Sequence, residues 1–285
     1  MASASGFRFG YNTNGYAHHR LEDALAILAE QGWSAIALTL DVHHLDPLRS
    51  GAREIAELRR RLDDLGLAVA IETGARFVLD PRRKHRPNLL DPAPAERARR
   101  LDFLRRCGDI ASELGSTCLS FWAGTPEPDL EREHCWTWLQ EGIEALLAHL
   151  AGGAVRACLE PEPGMLVETL ADFERARRAA PALQLALDVG HLYVTGEERP
   201  AEHIAHHARH LGQVTLEDMQ RGRHDHLPFG QGDVDVPAVL AALRACRWTE
   251  PIYVELGRHG FDAVATSRVA LEYLRRATSG LSENA

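Results

Sequence analysis

The chain has 285 residues, with 32 Lys and Arg against 41 Asp and Glu, for a formal charge of −9 with histidine neutral. Its 45% hydrophobic and 26% charged residues exclude intrinsic disorder and collagen-like structure, and the acidic surplus speaks against nucleic acid as a partner, because phosphate binding needs a broad basic footprint. No run of about 18 uncharged apolar residues is present to cross a membrane, and the opening MASASGFRFG lacks the basic and apolar regions of a secretory signal, so a cytoplasmic location is expected.

In chain order, short apolar runs alternate with longer amphipathic segments. Strands are expected at 7–12, 34–40, 68–73, 117–122, 155–160, 184–188, 214–218 and 252–256. Helices are expected at 21–31, 51–65, 95–114, 130–150, 170–179, 201–211, 236–246 and 263–276, with Gly32, Gly66 and Gly115 just past three of them. Eight βα rounds with near-continuous apolar strands describe parallel strands buried on both faces. The expected fold class is therefore α/β, a (β/α)8 TIM barrel in a single domain over 1–278, with 279–285 as a flexible tail. A doubly wound open sheet would want a glycine-rich phosphate turn after an early strand, and FRFGYNTNGYAHH contains no GxGxxG. The five cysteines are odd in number and form no CxxC pair, so neither a disulfide framework nor a thiolate zinc site is expected.

The chemistry concentrates where strands end. Glu72, Glu160, Asp188, Glu217, Asp218 and Glu255 each close an apolar run. A charge there must be solvated, paired or metal-bound, and several at one barrel mouth call for a divalent cation or basic groups. Histidines sit at the same places: His191 in DVGH, His224 and His226 in HDH, and His259 after Glu255. Carboxylate and imidazole without thiolate suits one divalent metal ion, Mn2+, Zn2+, Mg2+, Co2+ or Fe2+. The segments 74–94 and 219–235 are long for βα loops. The first carries Arg76, Arg82, Arg83, Lys84 and Arg86 against Asp80, a local charge of +4. Arg76 and Lys84 are candidates to clamp an anionic substrate, Glu72 and His259 to bind its other polar groups, and Trp122 to form an apolar wall against a sugar ring.

LEPEPG around Glu160, LDVGH from Asp188 to His191, the stretch from LEDMQRGRHDH to GQGDVDVPAVL, and YVELGRHG around Glu255 resemble, in that order, the xylose isomerase-like TIM barrels. That superfamily holds sugar phosphate isomerases and epimerases and is related to endonuclease IV. The resemblance covers almost the whole chain and implies that Glu160, Asp188 and Glu255 bind one divalent metal. The family's strand-seven histidine, as in VHLKD, is replaced: VTLED has Thr215 there. His226 is the expected substitute, in a loop similar to the DxHxxxG metal loop of the endonuclease IV branch; Glu217, His224 and His191 are further candidates for metal or substrate.

The resemblance implies an isomerase or epimerase acting on a sugar, sugar derivative or cyclitol through a metal-stabilised enediolate, with Glu160 and Glu255 moving protons. Alternatives are a same-fold lyase, dehydratase or endonuclease IV-like hydrolase, or a non-catalytic metabolite-binding barrel. The expected partner is a polyhydroxylated small molecule, anionic if the basic loop grips it, with homo-oligomerisation left open.

Overall fold

The computed structural model describes residues 6–282. Eight parallel strands close into a barrel: β1 (Phe9–Asn12), β2 (Ala35–Thr39), β3 (Ala68–Glu72), β4 (Cys118–Trp122), β5 (Arg156–Glu160), β6 (Gln184–Asp188), β7 (Leu211–Leu216) and β10 (Ile252–Val254). Between the last two lies an antiparallel hairpin, β8 (Asp218–Gln220) and β9 (Arg223–Leu227). The helices are α1 (Leu21–Gln31), α2 (Ala52–Leu65), α3 (Pro94–Leu114), α4 (Arg132–Leu150), α5 (Leu170–Ala179), α6 (Val189–Thr195), α7 (Pro200–His207), α8 (Val236–Ala245) and α9 (Ala263–Ser282). Among the described residues no helix is long and apolar enough to cross a membrane.

The barrel is the expected one, with four local corrections. The strand read as 214–218 starts three residues earlier, at Leu211, because the preceding helix stops at His207 instead of 211. A second short helix, α6, follows β6 at once, capped by the Asp188 side chain accepting from the His191 N–H. The first part of the segment read as a long loop over 219–235 folds as the β8–β9 hairpin, ending at Leu227. The last helix continues into the segment read as a tail, and residues 283–285 lie outside the described residues.

Two apolar layers hold the barrel. The larger lies between sheet and helices, where leucines, isoleucines and phenylalanines of both are buried. The smaller fills the barrel itself with Ala35, Ala37, Ala70, Cys118, Cys158, Ala186 and Tyr253. Small residues dominate because the Tyr253 ring occupies much of the interior. A Cβ on Gly10 would stand 2.5 Å from that ring, so β1 has no side chain at this point.

Side chains alternate across a strand, so inward positions recur every second residue. Two steps beyond Ala37, Ala70, Cys158, Ala186 and Tyr253 stand Thr39, Glu72, Glu160, Asp188 and Glu255. The same inward rows are thus apolar through the barrel floor and become polar at its carboxyl end.

Candidate active site at the carboxyl ends of the strands

Three groups of potential ligand atoms lie within 4.8 Å of one another: Asp188, His226 and Glu255; Glu160, Asp188 and His191; and His191, His224 and His226. The sequence spread these residues over almost a hundred positions, and barrel closure brings them together. Asp188 belongs to two groups and is 2% exposed. Its Oδ1 caps α6 at the His191 N–H (3.2 Å), while its Oδ2 has no hydrogen-bond partner among the described residues. A buried carboxylate oxygen left without a donor carries a desolvation cost that a cation relieves, so these residues fit a divalent ion.

The two glutamates differ in their support. Glu255 accepts from Asn12 Nδ2 (2.9 Å) and Asn14 Nδ2 (2.8 Å), both on the segment leaving β1. Among the described residues no comparable donor supports Glu160. Burial raises the pKa of both, Glu160 well above the ordinary carboxylate value; the neighbouring carboxylates add to this, and Asn14 offsets part of it at Glu255. Asp188 moves the other way. Burial would raise its pKa, but His191 and His226 hold it below the usual range.

His191 is fixed by its neighbours. Its Nδ1 donates to the Pro161 carbonyl at 3.0 Å, turning Nε2 toward the cluster; burial lowers its pKa, but Asp188 and Glu162 outweigh this and raise it. Burial lowers the His224 pKa to about 3 and the His226 pKa to about 4, helped at both by His191, so both rings are neutral near pH 7. Glu217 is wholly buried, and among the described residues neither carboxyl oxygen has a hydrogen-bond partner. Burial and then Asp188 raise its pKa well above the usual value. A Cβ on Gly190 would stand 2.1 Å from Glu217 Oε1, so the glycine in DVGH makes room for this carboxyl. Thr215 lies deeper on the same inward row, paired in register with Asp188 and Tyr253. Asp218 faces away from this cluster and organises the next loop, accepting from the N–H groups of Met219, Gly230 and Val234.

Glu162 escaped the sequence reading although LEPEPG contains it. Its oxygens lie 3.8 Å from His191 Nε2 and 4.0 Å from His224 Nε2, and burial raises its pKa to about 7. The signal was the second acid in ExE beyond a strand end. Asn12 and Asn14, paired in NTN after the first strand, were missed as well. Glu72 stands at the same mouth, hydrogen-bonded by Thr39 Oγ1 at 2.5 Å, with its pKa raised to about 7 by burial and then Glu255.

The basic loop is mostly spent on local pairing. Arg83 pairs with Asp80, and Arg86 with Glu127 at 3.1 Å. Arg76 alone of the five turns inward, 3.8 Å from Asp41, where its charge also acts on Glu72 and Glu255. Lys84 is exposed, and its charge acts on His85. Trp122 is buried, with the Arg100 guanidinium 4.3 Å from its ring centroid and His85 4.9 Å away. His259 lies beside the exposed Phe261, with ring centroids 6.0 Å apart and the rings tilted by 35°, outside the three ligand groups.

A pH dependence follows from these carboxyls. Folded-state pKa values near 7 for Glu72 and Glu162 lie above their unfolded value near 4.5, so the stability tied to their neutral forms is lost as pH rises through about 7. The depressed His224 and His226 act in the opposite direction only below about pH 6.5, leaving the higher window clear. In chelator, the melting temperature is expected to fall between pH 6.5 and 8.5, and saturating Mn2+ to flatten that slope. A flat profile in chelator contradicts the carboxyl burial described.

A model of the family described as xylose isomerase-like TIM barrel matches residues 25–277. The chain belongs to this family. No curated protein sequence matches it significantly. Among solved structures, this xylose isomerase-like barrel is similar to the D-allulose 3-epimerase of Methylomonas sp. in complex with D-allulose, with a TM-score of 0.76, 20% identity, and 97% and 99% of the two chains covered. The 3-keto-D-glucoside 4-epimerase of E. coli gives a TM-score of 0.78 at 17% identity, covering 95% and 99%. An L-ribulose 3-epimerase gives 0.74 at 20% identity, covering 98% and 96%. At these identities the structural matches establish the fold.

Proposed function

We propose that this barrel is a divalent-metal-dependent epimerase or isomerase acting on a ketose, a sugar derivative or a cyclitol. The convergence of Glu160, Asp188 and Glu255 from three strand ends, with Asp188 Oδ2 lacking a donor, carries the proposal. The epimerase activities of the structural neighbours support it. These three carboxylates, with His226 as the nearest nitrogen in the Asp188–Glu255 group, are the residues that would hold the ion. When bound, the ion supplies stabilisation of negative charge developing on a substrate oxygen beside the carbon that loses its proton.

The chain's own groups divide the proton transfers. Glu255, supported by two asparagine N–H donors, is the better anion and removes the proton from the carbon next to the carbonyl. Glu160, facing the same molecule from β5, is the group that delivers a proton to the other face of the resulting enediolate. The barrel places β5 and β10 three strands apart, so the two carboxyls approach a molecule between them from different sides. Arg76 and Glu72 bind polar substituents at the mouth.

The test is incubation of the Mn2+-loaded protein with D-fructose, D-tagatose and D-ribulose in D2O, followed by NMR. Deuterium entering next to the carbonyl, with an epimer or aldose appearing, is the expected result. Loss of water without deuterated sugar would replace this reading with a lyase; no exchange into any of the three ketoses would count against it.

A further inference from the structure

Across the barrel from Glu255, on the β3–β4 side, a cation is buried without a counterpart. Arg100, near the start of α3, is wholly buried, and none of its three guanidinium nitrogens has a hydrogen-bond partner among the described residues. Its charge lies 4.3 Å from the centroid of the Trp122 ring and 5.0 Å from that of Phe103. Aromatic faces attract a cation but accept none of its N–H groups in the way an oxygen does. Burial lowers the Arg100 pKa to about 10, which leaves it charged near pH 7. A buried guanidinium whose donors are unmet is strongly unfavourable, and an oxyanion brought against it relieves that cost.

The surroundings of Arg100 are positive and belong to the barrel mouth. Trp122 ends β4 and is paired in register with Glu160, so the ring under Arg100 stands beside that carboxyl. Ser120, two residues earlier on the same row and paired with Glu72, is buried, and its Oγ has no partner among the described residues either. His85 lies against Trp122, with ring centroids 4.9 Å apart. Burial lowers the His85 pKa to about 4, and the charges of Lys84, Arg100 and Arg76 add to this, so a neutral ring stands among three cations. The loop that carries His85 is closed at its neck by the His85 N–H donating to the Arg76 carbonyl at 2.7 Å. Both ends of that loop are left-handed without glycine, Ala75 at φ +41 and His85 at φ +62, and Arg99 holds its Leu79 carbonyl.

We propose that Arg100, with Arg76 and the Ser120 hydroxyl, is the seat of an anionic group carried by the substrate, a phosphate or carboxylate on the end remote from the reacting carbon. The planar fork of N–H donors on a guanidinium matches two oxygens of such a group. Arg100 is closed to solvent, so the anion reaches it as the 76–85 loop lifts and takes His85 off Trp122; the strained backbone at Ala75 and His85 favours that movement. Seating the acid on the β3–β4 side leaves the carbonyl end of the sugar to Asp188 and Glu255. The inference rests on the ketose reading above and narrows it to an acidic ketose, but its test reads binding and can fail separately from the chemistry.

The experiment is calorimetric titration of the Mn2+-loaded protein with D-fructose, D-fructose 6-phosphate and D-fructuronate, which differ only at C6, and with inorganic phosphate. Wild type is expected to bind at least one of the two acids about tenfold or more tighter than D-fructose. Arg100→Met, similar in length and uncharged, is expected to lose that preference, to bind D-fructose as wild type does, and to melt no lower than wild type, because it removes an unmet buried charge. Arg100→Lys keeps the charge and is expected to retain part of the preference. Equal binding of the three hexuloses by wild type, a preference that survives in Arg100→Met, or no binding of any probe overturns the seat. Inorganic phosphate bound as tightly as D-fructose 6-phosphate overturns a substrate-borne group in favour of a free anion. A preference lost in Arg100→Met, with no deuterium exchange into the bound sugar, supports the seat and overturns the epimerase reading alone.

Discussion

Glu160→Gln is expected to lower the rate of epimer formation about 10³-fold while leaving deuterium exchange into the starting ketose measurable. The first effect follows from the usual contribution of a positioned proton donor, 10²–10⁴-fold. The second follows from the division of labour: Glu255 still removes a proton and returns a solvent-derived one to the same face. Glutamine keeps the size of Glu160, and among the described residues the glutamate has no donor comparable to Asn12 and Asn14, so the fold is not at issue. Glu255→Gln should instead suppress exchange into that same sugar. It also carries a structural cost, because a glutamine N–H2 must face one of the two asparagine donors. NMR in D2O follows exchange and epimer together. Epimer formation by Glu160→Gln within tenfold of wild type would remove Glu160 from the chemistry.

Asp188→Asn is expected to abolish stabilisation by Mn2+. An ion at 100 times its Kd adds about 2.7 kcal/mol to the folded state, which for a chain of this size raises the melting temperature by about 5 °C. The variant should show less than a third of that shift. Asparagine retains a side-chain carbonyl able to accept from the His191 N–H, so the cap of α6 survives and the metal-free variant should melt close to metal-free wild type. An equal Mn2+ shift in both proteins would place the ion elsewhere. Thermal melts with and without Mn2+ separate these outcomes.

How much of this was legible in the sequence depended on the range of the interaction. The barrel follows from local pattern, because each strand is a short apolar run and each helix carries apolar residues at three-four spacing. The ends of Glu72, Glu160, Asp188 and Glu255 were legible for the same reason, since each acid closes such a run. The hairpin was not: Arg223–Leu227 is polar, and only its pairing with Asp218–Gln220 makes it a strand. The start of β7 at Leu211 was hidden because His207 to Leu211 continues a helical pattern. Glu217 and Asp218 look equivalent in LEDM, yet adjacent residues on a strand point to opposite sides, and one faces the cluster while the other ties down the loop ending at Val234. Glu162 and the two asparagines depend on contacts across the barrel that no local pattern records. The +4 loop shows the limit of charge counting, because Arg83 and Arg86 are paired locally and Arg76 alone turns to the site.

The proposed function rests on a divalent ion at the strand-end carboxylates. Its most direct test is an anomalous difference map from a crystal grown with saturating Mn2+. The expected result is a peak within bonding distance of Asp188 and Glu255, with Glu160 completing the carboxylate set. A map with no peak at these three carboxylates would contradict it.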